Sequence, residues 1–317
     1  METNNILSER AVLTNISIHC WGGTKVDRKA TKEINDNHGA SYDAGTYVKN
    51  LLPKKIVEVP QQIARACRKQ HERLTLPWGK AGYRLCSAEG FERWAEMVNE
   101  YRDQYDEAVA KLLSLYDNAV ERRRIELNGL FNENDYPSAD DLRSRYVFDR
   151  EVVPVPVAGN FVANLFDEQA NEIREDLEKR NQDDLKNATD DIFKRLHDKV
   201  SNLADALDGF EIKSVVKSRK RNGRTVQVKV DEPSRRLYDS MVDHLVDLVD
   251  ILPALNITGD LQIAGFIKEV QDKLTKADVD TFKQNTPQAE AVRAQVKDDA
   301  SDIADRLAGF FSPITEE

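Results

Sequence analysis

Phe91–Val120 reads FERWAEMVNEYRDQYDEAVAKLLSLYDNAV. Phe91, Trp94, Val98, Tyr101, Tyr105, Ala108, Leu112, Tyr116 and Ala119 recur there at steps of three and four. On a helix that spacing gathers them into one apolar seam, with Glu96, Asp103, Glu107 and Lys111 on the other side. A second stretch repeats the pattern through Ile173, Leu177, Leu185, Ala188, Ile192, Leu196, Val200, Leu203 and Leu207. At about 1.5 Å per residue the two helices run roughly 45 and 52 Å. Neither seam is stable in water, so each needs a partner, and the expectation is that the two pair antiparallel. Asn181 falls on the second seam, where a polar residue fixes register.

The chain has 317 residues, with 40% apolar and 32% charged side chains and a formal net charge of −10. That acidity excludes a chain-wide nucleic-acid footprint and leaves only a local patch for such binding. Cys20, Cys67 and Cys86 form no CxxC pair, which points to a reducing cytoplasm. No basic-then-apolar leader and no long apolar run is present, so neither secretion nor membrane spanning is expected.

Working outward, Ala11 to Trp21 alternates like a half-buried strand and stops at Gly22-Gly23. Residues 1–10 read as a loose polar lead. Trp21-Gly22-Gly23-Thr24-Lys25 has neither the spacing nor the ending of a phosphate loop, and reads as a turn. Lys25–Asn37 and Lys54–Arg73 read as helices, the second with Pro60 as a break or first-turn residue. Leu74–Trp78 is extended. Ser87 suits the N-cap of the first long helix, and Asn128-Gly129 its end. The acidic run before Ser138 lacks the glycine and final glutamate of a calcium loop, and reads as a turn into a short helix capped by Ser138. Tyr146–Val157, broken by Pro154 and Pro156, suits an extended edge or a non-sheet linker, and Gly159–Leu165 suits another short strand.

These motifs also occur in a series. Ile18-His19-Cys20-Trp21-Gly22-Gly23 comes first, then Tyr42-Asp43-Ala44-Gly45 and Lys49-Asn50-Leu51-Leu52-Pro53. Leu76-Pro77-Trp78, Gly82-Tyr83-Arg84-Leu85, Leu130-Phe131-Asn132, Asp135-Tyr136-Pro137-Ser138 and Pro154-Val155-Pro156 follow. In this order the series resembles an uncharacterised family of tailed-phage and prophage proteins, over roughly Val12 to Leu207. The family has no established activity, so no catalytic residue is carried over. Its members are often encoded near a MoxR-type AAA+ ring ATPase and a von Willebrand A-domain protein. The resemblance therefore implies a phage accessory protein and such partners.

Beyond that region, Phe210–Val230 breaks from the acidic background. Asn222-Gly223 between β-rich arms signals a hairpin. Val226, Val228 and Val230 alternate with Thr225, Gln227 and Lys229, which predicts one apolar face that docks. The basic tip reads either as a solvated end that keeps a strand edge from aggregating or as a binding finger, for which Lys217, Arg219, Lys220, Arg221, Arg224 and Lys229 are the candidate residues, for nucleic acid or an acidic partner surface. Helices resume after Pro233: one through Leu237 to Leu252, stopped by Pro253, one from Asp260 to Leu274, and one opened by Thr286-Pro287 and closed at Gly309. His244 beside Asp243 and Asp247, and the off-seam His197, read as surface residues.

The expected architecture is mainly α. It has a long antiparallel helical, coiled-coil-like pair, a small β element and a β-hairpin insertion. Four segments are expected: 1–86 α+β, 87–209 the helical pair with an extended linker, 210–231 the basic hairpin, and 232–317 helical. No nucleophile elbow, metal signature or phosphate loop is present, so the expectation is a non-enzymatic, homo-oligomeric phage scaffold without a cofactor. A nucleic-acid-binding protein of phage replication or recombination is the alternative.

Overall fold

The computed structural model describes residues 7–79, 82–157, 167–221, 224–234, 240–276 and 279–311. It is mainly helical with small antiparallel sheets. The elements in order are β1 (Ala11–His19), β2 (Thr24–Val26), α1 (Arg28–His38), β3 (Val48–Asn50), α2 (Lys54–Leu74), β4 (Leu76–Pro77) and β5 (Arg84–Ser87). Then come α3 (Phe91–Leu127), α4 (Ala139–Ser144), β6 (Val147–Pro154), α5 (Asp167–Leu207), β7 (Ile212–Arg221) and β8 (Arg224–Pro233). Last are α6 (Ser240–Leu255), α7 (Leu261–Lys273), α8 (Val279–Phe282) and α9 (Pro287–Ala308). One sheet has the order β4-β5-β1-β6; β2-β3 and β7-β8 are separate antiparallel pairs. The chain divides into two units: residues 14–73 with 91–153, and residues 1–13, 74–90 and 154–317.

In the first unit α3 buries Trp94, Val98, Tyr105, Val109, Leu112, Tyr116 and Ala119, most of the seam read from sequence. Its counterpart is α2. There Val57, Pro60, Ala64, Cys67 and His71 are buried at steps of three and four, so α2 carries its own stripe and runs on through Pro60. Ile18, Leu52, Val57, Ala64 and Cys67 share one core with Tyr105, Val109, Leu112, Tyr116, Leu142 and Tyr146. The α3 helix starts at Phe91 rather than at Ser87, which ends β5 while its Oγ accepts from Gly90 N at 3.0 Å. Gly23 is the position where glycine is required. Its φ is +62°, and an added Cβ would stand 2.9 Å from Val57 Cγ2 in the core.

In the second unit α5 packs along α9 and against α6. Phe193 stacks on Phe310 at 4.8 Å, and Lys297 reaches Asp208 at 2.6 Å. Burial begins in earnest at Ala188 and continues through Ile192, Phe193, Leu196, Val200, Leu203 and Leu207; Ile173 is 39% exposed. Each seam is met by helices of its own unit, α2 for α3 and α9 with α6 for α5, and the expected mutual pairing of the two long seams is not shown. Shorter amphipathic helices cover a seam as well as one of equal length does. Asn181 is buried and donates from Nδ2 to Pro156 O at 2.8 Å, so it ties the extended link to α5. Thr286 caps α9, its Oγ1 accepting from Ala289 N at 3.2 Å. Arg293 is buried and donates to Phe282 O at 2.7 Å and Gln284 O at 3.0 Å, pinning α8 to α9.

Three further expectations change. Residues 7–10 are helical, with Leu7 fully buried, rather than loose. Lys25 lies in β2, and the helix after it starts at Arg28 behind the N-cap Asp27. The α6 helix continues through Pro253 to Leu255. The strand expected at Gly159–Leu165 lies outside the described residues.

Candidate functional site

The hairpin forms as read. The arms β7 and β8 pair in a single register from Ile212↔Pro233 to Arg221↔Arg224. Asn222-Gly223 lies outside the described residues, as do the side chains of Arg219, Lys220, Arg221, Arg224 and Val226. Their backbones are placed: Arg219 pairs with Val226, Lys220 with Thr225 and Arg221 with Arg224. Lys217 sits opposite Val228, and Lys229 opposite Val216, so the two described lysines face opposite sides. The site residues predicted from sequence are thus brought together on one two-stranded ribbon.

The docking of its valine face is corrected. Val215 is 39%, Val216 59% and Val228 37% exposed, and Val230 only half-buried. Both faces carry valine, because β7 contributes adjacent Val215 and Val216 while β8 alternates. Lys217 pairs with Glu232 on the same face, and Lys213 Nζ lies 3.1 Å from Glu211 Oε2. Lys229 forms no ion pair among the described residues. Such exposed pairs hold little energy and leave their cations available to a denser anion.

A second polar centre was not anticipated. Lys49 on β3 is opposite Lys25 on β2, and its side chain is 4% exposed. Its ammonium meets Asp135 Oδ2 at 2.6 Å, Asp27 Oδ2 at 3.0 Å and Leu130 O at 3.0 Å, so all three N–H donors are used. Asp135 Oδ1 also takes Lys25 Nζ at 2.7 Å. Burial works against the Lys49 charge, but the bonds to Asp135 and Asp27 outweigh it and raise its pKa. Burial likewise opposes the Asp135 charge, yet Lys25 and Lys49 hold that carboxyl below the ordinary range. Asp27 is lowered by the Ala30 N–H and then by Lys49. The stretches that superficially suggested a phosphate loop and a calcium loop therefore meet and neutralise each other. The adjoining cavity of about 530 Å³ is lined by Lys25, Val26, Asp27, Arg28, Lys49, Asn132 and Asp135. No local pattern in the sequence points to this centre, because its members come from segments far apart along the chain.

A larger cleft of about 690 Å³ lies beside Tyr105, Val109, Leu113, Arg143 and Tyr146. The Tyr146 hydroxyl is buried with no hydrogen-bond partner among the described residues, and burial raises its pKa. Among the described residues no three His, Cys, Asp or Glu side chains converge as a metal set, and no helix is long and apolar enough to cross a membrane. His197 lies 3.4 Å from Asp198, with its ring against Phe311. Comparison with protein-family models finds no match, and none is found among curated proteins or solved structures.

Proposed function

We propose that this chain is a non-enzymatic accessory or scaffold protein of phage type, which acts by binding and self-assembly and uses the β7-β8 ribbon as its contact arm. The observation that carries this reading is the exposure of valine on both faces of the ribbon, with Val216 at 59%. A lone two-stranded ribbon is marginal in water, and its free edges and apolar faces are stabilised when a second chain covers them. The occupant of the valine-bearing base of the arm is a second copy of this chain. The family resemblance supports the accessory role, and it adds a MoxR-type AAA+ ATPase and a von Willebrand A-domain protein as partners of the assembly.

Sedimentation equilibrium tests the reading. The wild-type chain is expected to exceed its 36.1 kDa monomer mass with rising concentration. A Val215→Thr, Val216→Thr, Val228→Thr variant keeps strand propensity, removes apolar surface and is expected to shift toward monomer. A wild-type monomer at every concentration, or an unchanged association in the variant, overturns it.

A further inference from the structure

The tip-ward half of the ribbon differs in chemistry from its base. Between Ile212 and Val230 there are seven Lys or Arg residues and no Asp or Glu, on a chain whose formal charge is −10. Four of the seven, Arg219, Lys220, Arg221 and Arg224, occupy the last three registers before the turn. Acidic residues enter only at the base, where Glu211 and Glu232 meet Lys213 and Lys217. Folding alone does not account for this arrangement, because neighbouring like charges repel across a strand pair. A polyanion does account for it.

Single strands are held chiefly by stacking bases on aromatic rings. From Ile212 to Pro233 there is no Phe, Tyr, Trp or His. A duplex needs no such platform, since its phosphates contribute most of the affinity and its major groove, about 12 Å wide, admits a two-stranded ribbon. Entry into a groove also requires an element that is open on both faces. Ser214 to Ser218 and Gln227 to Lys229 are exposed whichever way they point. The five tip-ward residues of each arm extend roughly 17 Å, about half a turn of duplex.

We propose that the tip-ward half of the β7-β8 ribbon is an arm for double-stranded DNA, which contacts phosphates through Lys217, Arg219, Lys220, Arg221, Arg224 and Lys229 without reading sequence. This rests on the reading of the ribbon as the contact arm, and names a partner for its tip.

The test is a salt titration of binding to a labelled 20-base-pair duplex of arbitrary sequence, with the single strand of the same length as competitor. With four to five of these six cations on phosphates at once, the log–log slope is roughly −4, a loss of about 250-fold in affinity between 50 and 200 mM salt. The variant Arg219→Ser, Lys220→Ser, Arg221→Ser, Arg224→Ser is expected to flatten the slope to about −1 to −2, with an unchanged circular dichroism spectrum. A Lys217→Ser, Lys229→Ser variant is expected to reduce the slope by about 1–2, and supplies the test if the quadruple change prevents folding. Replacing Arg219, Arg221 and Arg224 with Lys is expected to keep the slope. Absence of salt-sensitive duplex binding, equal or tighter binding of the single strand, or an unaltered slope in the Ser variants overturns the proposal. If duplex binding is absent while the valine variant still abolishes self-association, the nucleic-acid arm falls and the assembly reading stands.

Discussion

The indole of Trp94 donates from Nε1 to Nδ1 of His71 across 2.9 Å, with Trp94 fully buried and His71 4% exposed. This bond joins α3 to α2. An Nδ1 that accepts places the ring proton on Nε2, so the geometry selects one neutral tautomer. Two elements that are distant in sequence are thereby locked by a polar contact inside an apolar seam.

Two substitutions separate its packing from its hydrogen bond. Trp94→Ala should cost about 3–5 kcal/mol, because the void it leaves is enclosed on several sides. Trp94→Phe keeps most of the volume but removes the donor from a buried acceptor, and should cost about 1–3 kcal/mol. Urea midpoints at unchanged slope measure both. A Phe variant as stable as the wild type would show that the bond contributes nothing.

The seam of α3 was legible because period reports directly on burial: Trp94, Val98, Tyr105, Leu112 and Tyr116 are all in the core. Its partner was not, because period says which face is buried and not what buries it. The α2 stripe, Val57, Pro60, Ala64, Cys67 and His71, was hidden by content rather than spacing. Proline and histidine do not read as core, yet both are buried there. The hairpin was legible from Asn222-Gly223, since turn chemistry is local. The exposure of its valines was not, because alternation predicts an apolar face without supplying the surface that covers it. The Lys49 centre was invisible for the same reason: its partners lie 22 and 86 positions along the chain.

The Lys49 centre should give the protein a distinct pH response. Asp27 and Asp135 sit below their ordinary 3.8, so their contribution is present in full above that value and is lost as pH falls through their lowered native values. Lys49 sits above its ordinary 10.5, so its contribution is present below that value and is lost as pH rises through its raised native value. The centre should therefore stabilise evenly across the neutral range and fail at both extremes. Lys49→Met leaves Asp27 and Asp135 facing each other with only Lys25 on the outer oxygen of Asp135, and should cost about 3–5 kcal/mol at pH 7. That loss should shrink as pH falls and the carboxyls take up protons. Stability measured from pH 3 to 8 checks it, and a cost that does not vary with pH would sink the argument.

The three cysteines should differ in reactivity. Cys67 and Cys86 are fully buried, and burial pushes their thiols up to about 11 and about 12. Cys20 is partly exposed, its Sγ 3.7 Å from the Tyr105 hydroxyl. Since the thiolate is the reactive form, a thiol reagent at pH 8 should label Cys20 in the folded protein. Cys67 and Cys86 should react only after unfolding. Mass spectrometry of labelled peptides over time reads this out. Labelling of Cys86 at the rate of Cys20 would contradict the burial described.

Asn181 holds the extended link before α5. Its Nδ2 donates to Pro156 O at 2.8 Å, and the neighbouring Val155 and Val157 are 2% and 6% exposed. The amide is therefore the polar fastening of a segment otherwise seated by apolar contact. Asn181→Leu is close in volume but leaves the Pro156 carbonyl without this donor, at about 1–3 kcal/mol. Asn181→Asp should cost more, because a carboxylate can only accept, and it faces another acceptor in a buried site. The damage should also be local. Amide exchange at Val155 and Val157 should quicken in both variants, while Ala188 to Leu207 on α5 keep their protection, since Phe193, Leu196 and Leu203 remain packed. Equal stability for the wild type, Leu and Asp chains would mean that the fastening carries no weight. Uniformly faster exchange along α5 would mean that Asn181 supports the whole helix rather than the link.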